Sequence, residues 1–404
     1  MAKFLVVDSE HGTEIPFLRG ILIRSLQDAG LAFDDAHRLA SEIRDDLNKS
    51  NSVSTRKLRA TVLKRLRDSP HRSAVERYRA GKASTLHVVV EYENGQRAPF
   101  SRGYHQRRLE CCAISTDEAV ALTQTIYKHL LDQEKTAVQA HHLDGITHGC
   151  LEHEVGAAVA ARYLVWTDFV RSGRPLILLI GGTAGCGKST TATNIANRLE
   201  IVRTQSTDML REVMRMMTPQ RLLPGLHTSS FEAWKALPGV DPERDCSDTQ
   251  LADGFHAQAD LLSVACEGVV QRALRERVSL ILEGVHICPS LLEKICGTVD
   301  DNALVVPVML AVLERDELQE RIRGRGVAAP QRRAKRYLES FDSIWRLQSV
   351  LLDEADRARV PIFENDDKDK VFREIMRHII GILSRDFSRT PAEVFTRRAR
   401  ISDT

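Results

Sequence analysis

Gly182-Thr183-Ala184-Gly185-Cys186-Gly187-Lys188-Ser189 decides how this chain folds. Its spacing is G-x-x-x-x-G-K-[ST], and the apolar run 176–180 (Leu-Ile-Leu-Leu-Ile) stands just before it. The pattern predicts a buried strand, a glycine-rich turn and a helix opening at Lys188. Gly182, Gly185 and Gly187 let backbone N–H groups curl around a polyphosphate with no side chain in the way. The helix start adds partial positive charge. Lys188 is expected to reach the β- and γ-phosphates, and Ser189 to hold Mg²⁺. A chain with this loop binds ATP or GTP.

Outward from the loop, strands and helices alternate from Arg174 onward, as in a parallel sheet covered on both faces. Further strands are expected at 201–205, 278–282, 303–312 and 360–363. Long helices are expected at 258–276, 337–356 and 369–383. Ligands of such sheets bind beyond the carboxyl ends of the strands. Two acids stand at those ends. Glu283 takes the position from which a carboxylate orders Mg²⁺, directly or through water. Asp208 is expected to position the acceptor hydroxyl or take its proton. His286, just past Glu283, is a candidate substrate contact, with a packed or solvated histidine as the equal alternative. Arg211 and Arg215 are four residues apart on one helical face. They suit an acceptor that already carries phosphate or carboxylate.

A second basic cluster follows the fourth strand: Arg315, Arg321, Arg323, Arg325, Arg332, Arg333, Lys335 and Arg336. Gly324, Gly326 and Pro330 are expected to break its helix into two arms. This reads as a mobile lid in which Arg321 and Arg325 stabilise the transferring phosphoryl group. Aromatic residues for base stacking are nearly absent there, which argues against nucleic acid. Cys186 reads as a small filler in the loop, with oxidation of its thiol as the alternative.

Composition sets the limits. The chain has 404 residues, 43% hydrophobic and 28% charged, with a net charge of +2. That is the balance of an ordinary soluble protein with two or three cores. No apolar run reaches the ~20 residues that span a bilayer, and Asp8 interrupts the start too early for a secretory signal. The eight scattered cysteines suggest neither a disulfide framework nor a zinc ribbon. The expected compartment is the cytoplasm.

The first 170 residues contain a repeat. Gly12-Thr-Glu-Ile-Pro-Phe-Leu-Arg-Gly20 returns as Gly95-Gln-Arg-Ala-Pro-Phe-Ser-Arg-Gly103, 83 residues on. At that offset Val6 and Val7 map to Val89 and Val90, and Leu26, Leu39, Ile43 and Leu47 map to Leu109, Leu122, Ile126 and Leu130. Arg77-Tyr78 and Arg162-Tyr163 sit two residues further apart, so a short gap intervenes. Each copy reads as a strand, a turn with Pro-Phe and two helices, Asp34 and Asp117 capping the second. A third helix is expected at 54–67. His141, His142, His148, Cys150 and His153 read as solvated loop residues rather than a zinc site. The tail after Ser384 reads as a loosely ordered end.

The strand-turn-Pro-Phe-helix-helix layout resembles the ATP-cone, a small regulatory nucleotide-binding module. Asp8-Ser9-Glu10 and Glu91-Tyr92-Glu93 stand where such modules usually carry a basic residue. Both copies are read first as packed structural modules, with allosteric nucleotide binding as the alternative.

Four stretches together resemble the 2-phosphoglycerate kinase family. They are Gly181 to Thr190, Ser206-Thr-Asp-Met-Leu-Arg-Glu-Val-Met-Arg215, Leu282-Glu-Gly-Val-His286 and Arg336-Tyr-Leu-Glu-Ser-Phe-Asp342. Pro16-Phe-Leu-Arg-Gly-Ile-Leu-Ile-Arg24 resembles that family's cone-like front domain. The resemblance covers the first repeat copy and most of 172–383. It implies transfer of phosphate from ATP, with Mg²⁺, to the 3-hydroxyl of 2-phosphoglycerate. The second copy is extra, and 218–250 is a long insertion, expected either to cover or to reshape the acceptor pocket.

The expected fold is therefore α/β: a P-loop kinase core with a parallel sheet flanked by helices, preceded by two tandem ATP-cone-like α+β modules. The expected boundaries are 1–83, 84–168 and 169–404. Gly182, Gly185, Cys186, Gly187, Lys188, Ser189 and Thr190 are the expected ATP contacts. Lys188, Asp208, Arg321 and Arg325 carry catalysis. Asp208, Arg211, Arg215 and His286 meet the acceptor, and Ser189 and Glu283 hold the metal. The expected partner is a small phosphorylated substrate, not nucleic acid or membrane; a homo-oligomer is allowed. An inositol phosphate or sugar-phosphate kinase is the rival enzyme. An ATP-binding regulator without phosphoryl transfer is the rival from another class.

Overall fold

A computed structural model describes residues 5–7, 14–47, 52–71, 73–79, 88–132, 137–297, 303–328, 331–387 and 389–395. The chain divides into two compact units, Met1–Val89 with Leu131–Ala137, and Val90–Leu130 with Val138–Thr404.

The first repeat copy contains β1 (Leu5–Val7), β2 (Glu14–Pro16), α1 (Arg19–Asp28), α2 (Phe33–Leu47), β3 (Ser52–Ser54), α3 (Thr55–Arg67) and α4 (Ser73–Arg79). Strand β1 lies in the middle, antiparallel to β2 and parallel to β3. The second copy follows the same plan: β4 (Val89–Glu91), β5 (Arg97–Pro99), α5 (Arg102–Glu110), α6 (Thr116–Asp132), β6 (Ala137–Gln139), α7 (Ala140–Glu154) and α8 (Ala157–Ser172). Its sheet has the matching order β5-β4-β6.

The repeat is a repeat of the core. Leu26, Leu39, Ile43 and Leu47 are buried in one copy, and Leu109, Leu122, Ile126 and Leu130 in the other. Register needs one correction. Strands β1 and β4 are offset by 84 residues and β2 and β5 by 83, so Val6 corresponds to Val90, not Val89. Val6 and Val90 are both buried, whereas Val89 is not. A one-residue slip would have turned the strand over.

Other expectations about the modules change as well. Asp34 and Asp117 lie inside the first turns of α2 and α6 and are not their caps. For α6 the cap is Ser115, whose hydroxyl accepts from Glu118 N at 3.2 Å while Glu118 accepts from Ser115 N at 2.8 Å. His141, His142, His148, Cys150 and His153 lie on α7, not in a loop. Among the described residues no three His, Cys, Asp or Glu side chains form a metal site.

The sheet of the larger unit contains β7 (Leu176–Gly181), β8 (Thr204–Ser206), β9 (Leu280–Glu283), β10 (Leu304–Ala311) and β11 (Ile362–Glu364). All neighbours are parallel, in the order β11-β10-β7-β9-β8. Every residue of β7 is buried, and each of its leucines and isoleucines contributes about 2 kcal/mol. The covering helices are α9 (Lys188–Leu199), α10 (Thr207–Met217), α11 (Asp248–Arg275), α12 (Pro289–Cys296), α13 (Arg315–Ala328), α14 (Gln331–Glu339), α15 (Phe341–Arg357) and α16 (Lys368–Leu383). Helix α11 starts ten residues earlier than expected. The reason is a capping box between Ser247 and Gln250, at 3.1 and 2.9 Å. Helix α13 continues through Gly324 and Gly326 to Ala328, so those glycines do not break it. The single helix expected at 337–356 is interrupted at Ser340, between α14 and α15.

The insertion 218–250 is packed. It holds two short 3-10 helices, Pro224–His227 and Ser230–Ala236, whose Leu226, Phe231, Ala233 and Trp234 are buried. Gly254 of α11 receives the Trp234 backbone so closely that an added Cβ would lie 2.2 Å from Trp234 Cα. Phe231 meets Tyr337 of α14, with ring centroids 5.3 Å apart.

The end of the described chain is also held, against expectation. Phe387 packs edge-on against Phe169, with ring centroids 5.7 Å apart. Arg389 Nε donates to Asp168 at 2.8 Å, and Asp168 is only 2% exposed. Arg171 donates to Val394 O, just beyond which Phe395 reaches Tyr163. This segment, including α17 (Pro391–Val394), straps α8 of the second copy. Helix α5 meanwhile meets the loop helix α9 through Arg107–Glu200 at 2.8 Å and Glu110–Arg198 at 3.3 Å. Among the described residues no helix is long and apolar enough to cross a membrane.

Arg389→Ala leaves Asp168 charged and buried without its cation. The expected cost is about 3 kcal/mol, read as a lower urea midpoint at unchanged slope. Arg389→Ala combined with Asp168→Asn is expected to recover part of the loss.

Candidate active site

The register of the parallel sheet builds the site. Ile180, Glu283 and Ser206 are neighbours across β7, β9 and β8. The turn after β7, the carboxylate ending β9 and the start of α10 therefore share one edge of the sheet. Strand β7 has partners on both sides, β10 and β9, so the crevice opens at its carboxyl end.

Glycine is required in the turn by close approach as well as by conformation. Gly182, Gly185 and Gly187 have φ of 134°, 90° and 86°. A Cβ on Gly182 would sit 2.4 Å from Leu310 O, and one on Gly187 would sit 2.3 Å from Asn365 Nδ2. A Cβ on Gly185 would be 2.8 Å from both Leu318 and Ile322 of α13. The helix read as a lid thus rests its buried apolar face directly on the loop. Cys186 is fully buried and fills the loop's interior.

Lys188 is 7% exposed, and its Nζ donates to Thr183 O at 2.7 Å. Ser189 Oγ donates to Glu283 Oε1 at 2.9 Å, and Glu283 is 6% exposed. Thr190, next on α9, is exposed. Three buried polar side chains that the sequence reading missed brace the turn. Asn365, following β11, donates to Cys186 O at 2.7 Å. Gln348 of α15 donates to Val312 O at 2.9 Å and accepts from Thr183 Oγ1 at 3.4 Å. Thr191 Oγ1 lies 3.5 Å from Asn365 Nδ2. A polar residue closing the fifth strand was a readable signal for Asn365; Gln348 carried none.

On the other side of Glu283, Ser206 caps α10 by accepting from Asp208 N at 3.3 Å. The Asp208 side chain is 60% exposed and lies 3.8 Å from the Arg211 guanidinium. Arg211 is mostly buried. It donates to Thr228 O of the insertion, and its Nε is buried without a hydrogen-bond partner among the described residues. Arg215 is exposed to a greater degree and paired with Glu212. Asp208 and Arg211 therefore converge, while Arg215 turns to a neighbour on its own helix.

Three arginines of the basic cluster are engaged by carboxylates. Arg321 donates to Glu317 at 2.5 and 3.0 Å. Arg315 pairs with Asp342 and Arg336 with Glu232 of the insertion. Arg325 stands on α13 at a position whose side chain is outside the described residues.

His286 follows the packed alternative and not the substrate contact: it is fully buried and does not face an acceptor directly. Its Nδ1 is 2.9 Å from Thr207 Oγ1 and its Nε2 is 2.9 Å from Gln258 Oε1. Burial pushes its pKa down to about 4. Asp208 works against that fall; Arg211 and Lys188 reinforce it. Gly284, between Glu283 and His286, is where Thr207 presses in: a Cβ there would lie 1.8 Å from Thr207 Oγ1.

No protein-family model matches the chain. Curated relatives named 2-phosphoglycerate kinase do. The Pyrococcus furiosus protein is 35% identical over 292 residues, covering 72% of this chain and 93% of its own. The Pyrococcus horikoshii protein is 32% identical over the same shares, and that of Methanopyrus kandleri 32% identical over 75% of this chain and 90% of its own. A crystal structure titled as a kinase, from Chloroflexus aurantiacus, aligns at 15% identity with a TM-score of 0.28, too low to bear on the fold. The chain belongs to the 2-phosphoglycerate kinase family.

Two sets of outcomes are expected, the first for glycine substitutions. Gly284→Ala drives a methyl group into Thr207 and costs on the order of 2 kcal/mol. Gly268→Ala, where the Cβ meets open space on α11, gains about 0.5–1 kcal/mol; thermal melting checks both. The second concerns pH. A histidine whose folded pKa is lowered contributes stability that is complete above its unfolded value. It is lost as pH falls through the folded one. His286, lowered from 6.5 to about 4, and His105, lowered to about 3 by burial, place that loss on the acid side. Melting temperature is expected to fall steadily from pH 6.5 toward 4, with a shallower fall in His105→Gln.

Proposed function

We propose that the chain transfers the γ-phosphoryl group of ATP to the 3-hydroxyl of 2-phosphoglycerate, giving ADP and 2,3-bisphosphoglycerate. The acceptor follows from relatives matched over nine-tenths of their length. The chemistry rests on one observation, the 2.9 Å contact of Ser189 with Glu283 at the foot of the glycine turn.

That pair is an all-oxygen donor set, which fits a hard cation such as Mg²⁺. Ser189 and Glu283 would hold Mg²⁺, which would supply positive charge against the phosphates. The turn from Gly182 to Gly187 wraps the phosphates with backbone N–H groups, and Cys186 supports it from inside. Lys188, whose Nζ donates to Thr183 O and to the Cys186 sulfur, turns to the β- and γ-phosphates. Thr190 follows Ser189 at the helix start, on the nucleotide side.

Asp208 holds the acceptor's 3-hydroxyl. As the hydroxyl oxygen bonds to the γ-phosphorus, the bond from that phosphorus to the β–γ bridging oxygen breaks and ADP departs. The hydroxyl proton passes to the Asp208 carboxylate. Arg211, whose buried Nε has no hydrogen-bond partner among the described residues, binds the acceptor's anionic groups. Arg215 contributes a second positive charge one turn further along. Arg321 and Arg325 ride on α13, whose Leu318 and Ile322 touch the turn, and supply charge to the transferring group. Of the front half, 1–83 and 84–168 are read as ATP-cone-like modules ahead of a kinase domain at 169–404. The shared strand order of the two small sheets supports this.

Activity with ATP, Mg²⁺ and a panel of phosphorylated acids and inositol phosphates tests the reading. Turnover is expected with 2-phosphoglycerate; its absence overturns the assignment. Lys188→Ala is expected to lower kcat roughly 100-fold or more. Arg211→Ala is expected to raise the KM for 2-phosphoglycerate roughly tenfold, leaving that for ATP within about twofold. Equal change in both would make Arg211 structural.

A further inference from the structure

The hydrogen bonds around His286 form a chain with one direction. Gln258 Nε2 faces two carbonyl oxygens of the insertion, Gly225 O at 2.5 Å and Thr228 O at 3.1 Å. Carbonyls only accept, so the amide nitrogen is on that side and Oε1 faces His286. Oε1 only accepts too, so His286 Nε2 carries the proton. A neutral ring then leaves Nδ1 as an acceptor, and Thr207 Oγ1 donates to it. Thr207 Oγ1, His286 and Gln258 thus form a directed series ending on the insertion.

Each end of the series meets the acceptor side. Thr207 is fully buried and opens α10, one residue before Asp208. Thr228 O, at the far end, also receives the Arg211 guanidinium. Gly284, against which Thr207 is lodged, follows the carboxylate of Glu283. The three buried groups therefore set Asp208 and Arg211 relative to Glu283 while none of them reaches the pocket. Phe255 lies parallel to the His286 ring, with centroids 6.2 Å apart and planes 4° from parallel. This stacking holds the imidazole in the plane that both hydrogen bonds need.

We propose that Thr207, His286 and Gln258 are positioning residues for the acceptor: a neutral Nε2–H imidazole locks the start of α10 to the insertion, and so fixes Asp208 and Arg211 where the second anion binds. In kinetic terms this rests on the proposed kinase activity; the protonation pattern stands independently of it. The charged groups around the ring are Asp208, Arg211 and Lys188. None donates to or accepts from either ring nitrogen, so the order of donors is set by the amide alone.

Thr207→Val keeps the shape and removes the donor, whereas Thr207→Ser keeps the donor. Full-length variants are compared with ATP and 2-phosphoglycerate. The expected result for Thr207→Val is a roughly tenfold higher acceptor KM, with the ATP KM within about twofold. Thr207→Ser is expected within about threefold of the parent for both. Equal behaviour of Val and Ser, or parallel rises for both substrates, overturns the proposal. Histidine ¹⁵N spectra of the full chain give a test that needs no turnover, the His286 signal being identified by its loss in His286→Gln. A neutral Nε2–H ring near pH 7 is expected. An Nδ1–H tautomer or an imidazolium overturns the series. If the parent turns over no 2-phosphoglycerate, the kinase assignment falls and the spectra alone decide on the series.

Discussion

The structure depends on how closely other backbone and side-chain atoms approach the turn between β7 and α9. Leu310 O, Asn365 Nδ2 and the side chains of Leu318 and Ile322 press against Gly182, Gly187 and Gly185 at distances no Cβ tolerates. The turn is thereby shaped by three separate elements, β10, the segment after β11, and α13. Inside this frame sits the buried Lys188, whose Nζ donates to the Thr183 carbonyl and, at 3.9 Å, to the Cys186 sulfur, with no carboxylate partner among the described residues. A charge so placed costs solvation that a carbonyl and a weak sulfur acceptor repay only in part.

A similar economy governs the other side of Glu283. The insertion at 218–250 buries Leu226, Phe231 and Trp234 and so has a small core of its own against α11. That core is what lets it offer carbonyls at Gly225 and Thr228 in fixed places. Arg211 and Gln258 both use Thr228 O. A guanidinium that would otherwise sweep through solvent is thereby held on one side, with its Nε unpaired among the described residues. The insertion also reaches α14, through Glu232 with Arg336 and Phe231 with Tyr337. It is the piece that joins α10 to α14.

The two repeat copies share a hydrophobic pattern but not an electrostatic one. In the second copy Asp144 is 3% exposed and accepts from Arg108 at 2.8 Å, Arg171 at 2.9 Å and Tyr163 OH at 2.8 Å. A buried carboxylate ringed by two guanidinium groups is costly to assemble and more costly to break. The strap at 389–395 joins this region, with Arg171 serving Asp144 and Val394 O together. Through α5 the same copy meets the far end of the loop helix. The second copy is therefore tied to the sheet unit from two sides.

Local pattern was enough for much of this. The loop motif, the apolar run before it and Glu283 at a strand end follow from spacing and periodicity, because a strand and a helix each impose their own period on the chain. The duplicated core was likewise legible, since burial at Leu26, Ile43, Leu109 and Ile126 leaves the same helical signature in both copies. What only the tertiary structure decided were contacts between residues far apart in the chain. Gln348 bracing Thr183, Asn365 closing on Cys186, Gln258 orienting His286 and Arg389 neutralising Asp168 are separated by 165, 179, 28 and 221 residues. Buried polar side chains have no period of their own. Their partners are chosen by which strands lie side by side, and that choice is made by packing the whole sheet, not by any stretch of sequence within it.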